Sequence, residues 1–76
     1  MNDKRRQLLR RASEYLDDAE RLVSSALDEE QDSLDAIPEQ FECTDRYEKM
    51  EEAIELLEDA IENISAAREK VDDAAA

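Results

Sequence analysis

"EEAIELLEDAIENI" (residues 51–64) mixes carboxylates and aliphatic residues over fourteen positions. Ile54, Leu57, Ile61 and Ile64 follow one another at gaps of three, four and three, the period of an α-helix and not the two-residue period of a strand. Extended outward on a heptad from Tyr47, the pattern separates into columns. Tyr47, Ile54, Ile61 and Arg68 form one seam column, and Met50, Leu57, Ile64 and Val71 the other. Ala53, Ala60, Ala67 and Ala74 stand beside them. Opposite lie Glu48, Glu55, Glu62 and Glu69, flanked by Glu51, Glu58 and Asp72 and by Glu52, Asp59 and Asp73. The spacing predicts an amphipathic helix over about 45–73, with an apolar arc wider than a strict two-column seam.

Upstream, Leu8, Leu9, Ala12, Tyr15, Leu16, Ala19, Leu22, Val23, Ala26 and Leu27 repeat the same gaps, and the pattern weakens through Leu34 to Ile37. A first helix is predicted over about 3–36, capped by Asn2 or Asp3 and about 50 Å long. It ends there because Pro38 disfavours the helical conformation at Ile37. Residues 37–44 form a joint in which Pro38 can open one short helical turn and Phe41 is expected to plug the end of the hairpin. Thr44 or Asp45 caps the second helix, and Asp45-x-x-Glu48 has the spacing of a capping box.

So short a joint makes the helices antiparallel neighbours. The fold expected is a single all-α domain over 1–76, an antiparallel two-helix hairpin of coiled-coil type. Matching alanine series on the two helices (Ala12, Ala19 and Ala26 on the first) permit close approach. A lone hairpin leaves part of its apolar surface bare, so self-association into a four-helix bundle, as dimer or tetramer, is expected. The face assigned to it comprises Leu9, Ala12, Leu16, Ala19, Val23 and Ala26 on helix 1. On helix 2 it comprises Met50, Ala53, Ile54, Leu57, Ala60, Ile61 and Ile64. The pairs Arg10/Glu14, Asp17/Arg21 and Asp45/Lys49 are spaced for ion pairs worth about 0.3–0.5 kcal/mol each.

Composition agrees. In 76 residues there is no glycine, one proline and no histidine or tryptophan, and the net charge is −13. The charge is uneven: residues 1–21 carry six basic and five acidic side chains, residues 22–76 four basic and eighteen acidic. A chain this acidic repels duplex nucleic acid and attracts cationic proteins. No apolar run approaches the roughly 20 residues of a membrane span, and no signal-peptide pattern follows the basic start. With one cysteine, Cys43, an internal disulfide is excluded, and a cytoplasmic protein is expected.

Chemistry is sparse. Residues 28–39, "DEEQDSLDAIPE", place acids at the first, third, fifth and twelfth positions of a calcium loop, but Ser33 occupies the sixth, which needs glycine. A solvated acidic helix end is the better reading. A di-metal carboxylate bundle needs histidines that this chain lacks. No catalytic residue, metal or cofactor is expected; Glu30, on the apolar side of helix 1, is the one acid expected to be partly buried. Cys43 lies among acids, which do not activate a thiol. Arg5, Arg6, Arg10 and Arg11 cluster with Lys4 at the start and are candidates for small-anion contacts. Without interleaved aromatics they read better as a basic end that meets acids of helix 2 or of a neighbouring chain.

The run over residues 28–67 resembles small acidic proteins encoded by phages and mobile elements of Gram-positive bacteria. The resemblance rests on Asp28–Gln31, Ile37–Glu39 and Glu48–Ile54, taken in order. It departs at Tyr47, where that family's pattern has glycine. The resemblance carries no activity; it implies an accessory phage gene and hence a host cytoplasm. Three functions follow as expectations. In the first, a non-enzymatic interaction protein presents Glu48, Glu51, Glu52, Glu55, Glu58, Asp59, Glu62 and Glu69 to a basic host protein and mimics nucleic acid. In the second, an assembly component works through its apolar face. In the third, clustered arginines bind a small anion.

Overall fold

The computed structural model describes every residue from Met1 to Ala76. Two long helices, α1 (Asp3–Asp35) and α2 (Asp45–Ala75), are joined through a single 3-10 turn at Glu39–Phe41. They pack against each other as an antiparallel hairpin whose Cα atoms extend 59 × 14 × 13 Å. There are no strands.

Local chemistry sets the ends. Asn2 Oδ1 accepts the Arg5 amide at 2.9 Å and starts α1. The last turn of α1 closes with Ala36 N–H donating to the Asp32 carbonyl and Ile37 N–H to that of Leu34, each at 3.1 Å. Pro38, at φ −59° and ψ 145°, then turns the chain out of helix and opens the 3-10 turn. Thr44 Oγ1 accepts the Tyr47 amide at 3.3 Å and donates to the Phe41 carbonyl at 2.9 Å, so one hydroxyl ties the joint to the start of α2. Because Thr44 is the cap, Asp45 is already helical and the Asp45–Glu48 capping box does not form. No residue has positive φ, in keeping with a chain that lacks glycine, and the reversal is spread over the whole joint instead of one tight turn.

Between the helices, α1 contributes Leu9, Ser13, Leu16, Glu20, Val23, Leu27, Glu30 and Leu34, all half-buried. From α2 come the two predicted seam columns, with Ile54 the one residue in the chain that is buried, at 8% exposure. Arg68 fixes the register. Its guanidinium lies 2.7 Å from Asp17 and 3.9 Å from Glu20, while Arg21 holds the other Asp17 oxygen at 2.9 Å. A cation in an apolar seam needs a carboxylate opposite it. The seam through Glu20 supplies one; the alternative stripe on α1, through Leu8, Ala12, Tyr15, Ala19 and Leu22, does not.

That register places Ala12 level with Ala74, Ala19 with Ala67, Ala26 with Ala60, and Ser33 with Ala53. Antiparallel helices present mirror-image wheels to one another, so positions one residue before the first seam column fall on the same side of both. The alanines therefore pave one side of the hairpin. The positions one residue after the second column, including Asp17, Glu51 and Glu58, fall on the other.

Three further expectations are corrected. Phe41 is not a buried plug: it is 51% exposed and lines an open hollow at the joint with Ile37, Pro38, Thr44 and Arg46. Arg10/Glu14 and Asp45/Lys49 form no ion pair, whereas Asp17/Arg21 does. The basic start does not meet the acids of α2: Arg6 pairs with Asp3 of its own helix at 3.4 Å, and the one ion-pair network between the helices is built on Arg68.

Tyr47 opens the α2 seam beside the joint. Partial desolvation, reinforced by Glu42, Glu51 and Asp35, raises its phenol above the ordinary 10.0. A raised phenol leaves stability untouched below that value and removes it as pH climbs past it, because the unfolded chain releases its proton first. In a Tyr15→Phe background, phenolate absorbance should therefore rise later in the folded chain than in the same chain in denaturant. Coincident curves would contradict this.

Candidate interaction surface

All eight acids assigned to the interaction face, Glu48, Glu51, Glu52, Glu55, Glu58, Asp59, Glu62 and Glu69, are exposed. Glu48, Glu55, Glu62 and Glu69 run in a column with about 10 Å between successive members. Glu51 and Glu58 lie beside it toward α1, and Glu52 and Asp59 on the outer edge of α2. From α1, Glu14, Asp28 and Asp35 continue the same side. α2 carries eleven carboxylates, and none takes part in an ion pair; those in pairs are Asp3, Asp17 and Glu20 of α1. The face is thus acid that the protein leaves uncompensated.

The opposite side differs in every respect. Its floor is the double row of alanines, of which Ala12, Ala19, Ala53 and Ala60 are half-buried and Ala26, Ala67 and Ala74 exposed. Along the α1 edge of that floor stand Leu8, Tyr15 and Leu22, seven residues apart and 55%, 64% and 73% exposed. Leu56, 68% exposed, stands on the α2 edge. The charges on this side are Arg5, Arg46, Lys49 and Lys70 against Glu29 alone. Sequence reading had merged this stripe with the seam, because on α1 the two are displaced by a single residue.

The residues assigned to self-association divide accordingly. Leu9, Leu16, Val23, Met50, Ile54, Leu57, Ile61 and Ile64 lie between the two helices of the one chain. Ala12, Ala19, Ala26, Ala53 and Ala60 line the apolar side.

Arg5, Arg10 and Arg11 are exposed and Arg6 half-buried; Arg6 and Arg10, four residues apart, share one face of α1, while Arg5 and Arg11 lie to either side of it. Residues 28–35 are helical throughout, with Asp28 and Asp32 outward and Glu30 half-buried in the seam, so they form no calcium loop. No group of three His, Cys, Asp or Glu side chains is placed to hold a metal ion. Cys43 is a free, exposed thiol in the joint. No helix is long and apolar enough to cross a membrane.

Compared with known proteins, the chain matches no family model, no curated protein and no solved structure.

Proposed function

We propose that the protein is a non-enzymatic interaction module that self-associates as a dimer or tetramer and offers its carboxylate face to a basic protein. The observation that carries this reading is the segregation of charge. The exposed acids of α2 are unpaired and face away from the alanine side, where basic side chains predominate. Acid placed only for solvation has no reason to be sorted in this way; a surface that meets a cationic groove does. A rigid rod lined with carboxylates fits a groove built for nucleic-acid phosphates. Guided by the resemblance to phage-encoded acidic proteins, we take the partner to be a host protein of defence or nucleic-acid handling, inhibited by occupation of its groove in the host cytoplasm.

The test is capture of a basic protein from host lysate at low salt, followed by competition. A partner held by this face should be released by duplex DNA and by salt near 0.5 M, where the screening length falls below about 5 Å. Failure to capture any protein, or capture that DNA and salt do not reverse, would sink the reading.

A second reading, an assembly component that works through its apolar side, draws on the exposure of Leu8, Tyr15 and Leu22. Small-anion binding by the N-terminal arginines draws least support, because only Arg6 and Arg10 share a face and Arg6 is already paired with Asp3.

A further inference from the structure

We infer that the alanine-floored side of the hairpin is covered by a second copy of this chain, stacked face to face with both joints at the same end. This deepens the self-association in the reading above by naming its surface, occupant and orientation. The carboxylate part stands or falls separately, since partner capture and mass in solution are independent measurements.

The first support is area. The hairpin exposes 5933 Å², against about 4,700 Å² for a compact monomer of 8.7 kDa. Within the chain only Ile54 is buried, so two helices alone make almost no core. From Leu8 to Ala26 the apolar stripe runs about 27 Å, and two helices side by side are about 20 Å wide. Such a face covers roughly 500–600 Å² per chain, or about 1,000–1,200 Å² for the pair, the lower bound for a specific interface.

The second support is charge. A copy approaching the acidic side of another meets like charge along its whole length. On the alanine side the charges are only four bases and one acid, Glu29, so a copy stacked there meets much less like charge than on the acidic side.

The orientation follows from what the two edges carry. With both joints at one end, α1 of one chain lies over α2 of the other and antiparallel to it. The apolar edge of Leu8, Tyr15 and Leu22 then covers the α2 edge of Lys49, Leu56, Asn63 and Lys70, with Tyr15 near the level of Lys70 and Leu22 near that of Asn63. With the joints at opposite ends, α2 lies over α2 and the lysine-bearing edge meets its own copy.

Light scattering on the intact chain should give about 17 kDa, twice the 8.7 kDa of one chain. Tyr15→Glu combined with Leu22→Glu should halve that mass, while Ser65→Glu on the acidic side should leave it unchanged. Should the double variant lose its helices, the thermal midpoint of the unaltered protein decides: it must rise with concentration over a hundredfold range. A flexible bismaleimide of about 20 Å should join the two exposed Cys43 thiols, which opposite stacking would leave at the two ends of a 59 Å rod. An 8.7 kDa mass, a double variant that stays dimeric and helical, or a dimer that Cys43 crosslinking does not capture overturns the inference.

Discussion

Replacing Ile54 by aspartate should abolish the cooperative thermal transition of the hairpin and remove more than half of its helical circular dichroism at 25 °C. Ile54 is the only buried residue, at 8% exposure, so it is where a change is felt most. Truncation to alanine deletes apolar contacts and leaves a void, at about 2–4 kcal/mol. Aspartate adds an unpaired charge in the seam, a further cost of several kcal/mol. A small two-helix core supplies no more than about 3–5 kcal/mol in all. Most helical stability in a protein comes from packing of the amphipathic face, so loss of the seam takes much of the helix with it. Ile54→Val should cost about 0.5–1.5 kcal/mol, and Ser65→Asp, exposed on the same helix, less than about 0.5. An Ile54→Asp chain that melts within a few degrees of the original would mean that the seam has been misassigned.

Changing Glu48, Glu55, Glu62 and Glu69 together to glutamine should weaken binding to a basic partner by about a hundredfold and yet stabilise the free protein at low salt. The two effects have one origin. These side chains are exposed and unpaired, so their removal breaks nothing in the fold. It relieves repulsion along a helix with eleven acids and four bases, which screening by salt would otherwise relieve. Against a cationic groove, each exposed charge pair is worth up to about 1 kcal/mol, so losing four removes roughly 3 kcal/mol, about two decades in affinity. The salt dependence of what binding remains should flatten. Unchanged affinity in the quadruple variant would move the binding surface to the apolar side.

The hairpin was legible because its signals agree. α2 carries a complete heptad with one acidic column, and Pro38, Asn2 and Thr44 mark boundaries by chemistry that works within a few residues. What was not legible depends on the partner helix. On α1, the series through Leu9, Leu16 and Val23 and the series through Leu8, Tyr15 and Leu22 have the same period, and nothing local chooses between them. The choice is made across the hairpin, where Arg68 needs Asp17 and Glu20. Once it is made, Leu8, Tyr15 and Leu22 are turned outward and the alanines are sorted from the acids. Phe41 was misplaced for a similar reason. A large apolar residue in a joint suggests a plug, but here the 3-10 turn leaves it half exposed at the rim of an open hollow. The carboxylate column needed no partner to be read, since seven-residue spacing keeps it on one face whatever the helix packs against.

All of this depends on one chain folding back on itself in the register set by Arg68. The direct measurement is a dipolar distance between nitroxides at positions 18 and 66, introduced as cysteines with Cys43→Ser and diluted with unlabelled protein. Folded within one chain, the two labels should lie closer than about 35 Å, given helix axes 8–10 Å apart and the length of the labels. A single unbroken rod would separate the sites by about 70 Å. A short distance that vanishes on dilution would mean that the hairpin closes only between two chains; either result contradicts the fold described.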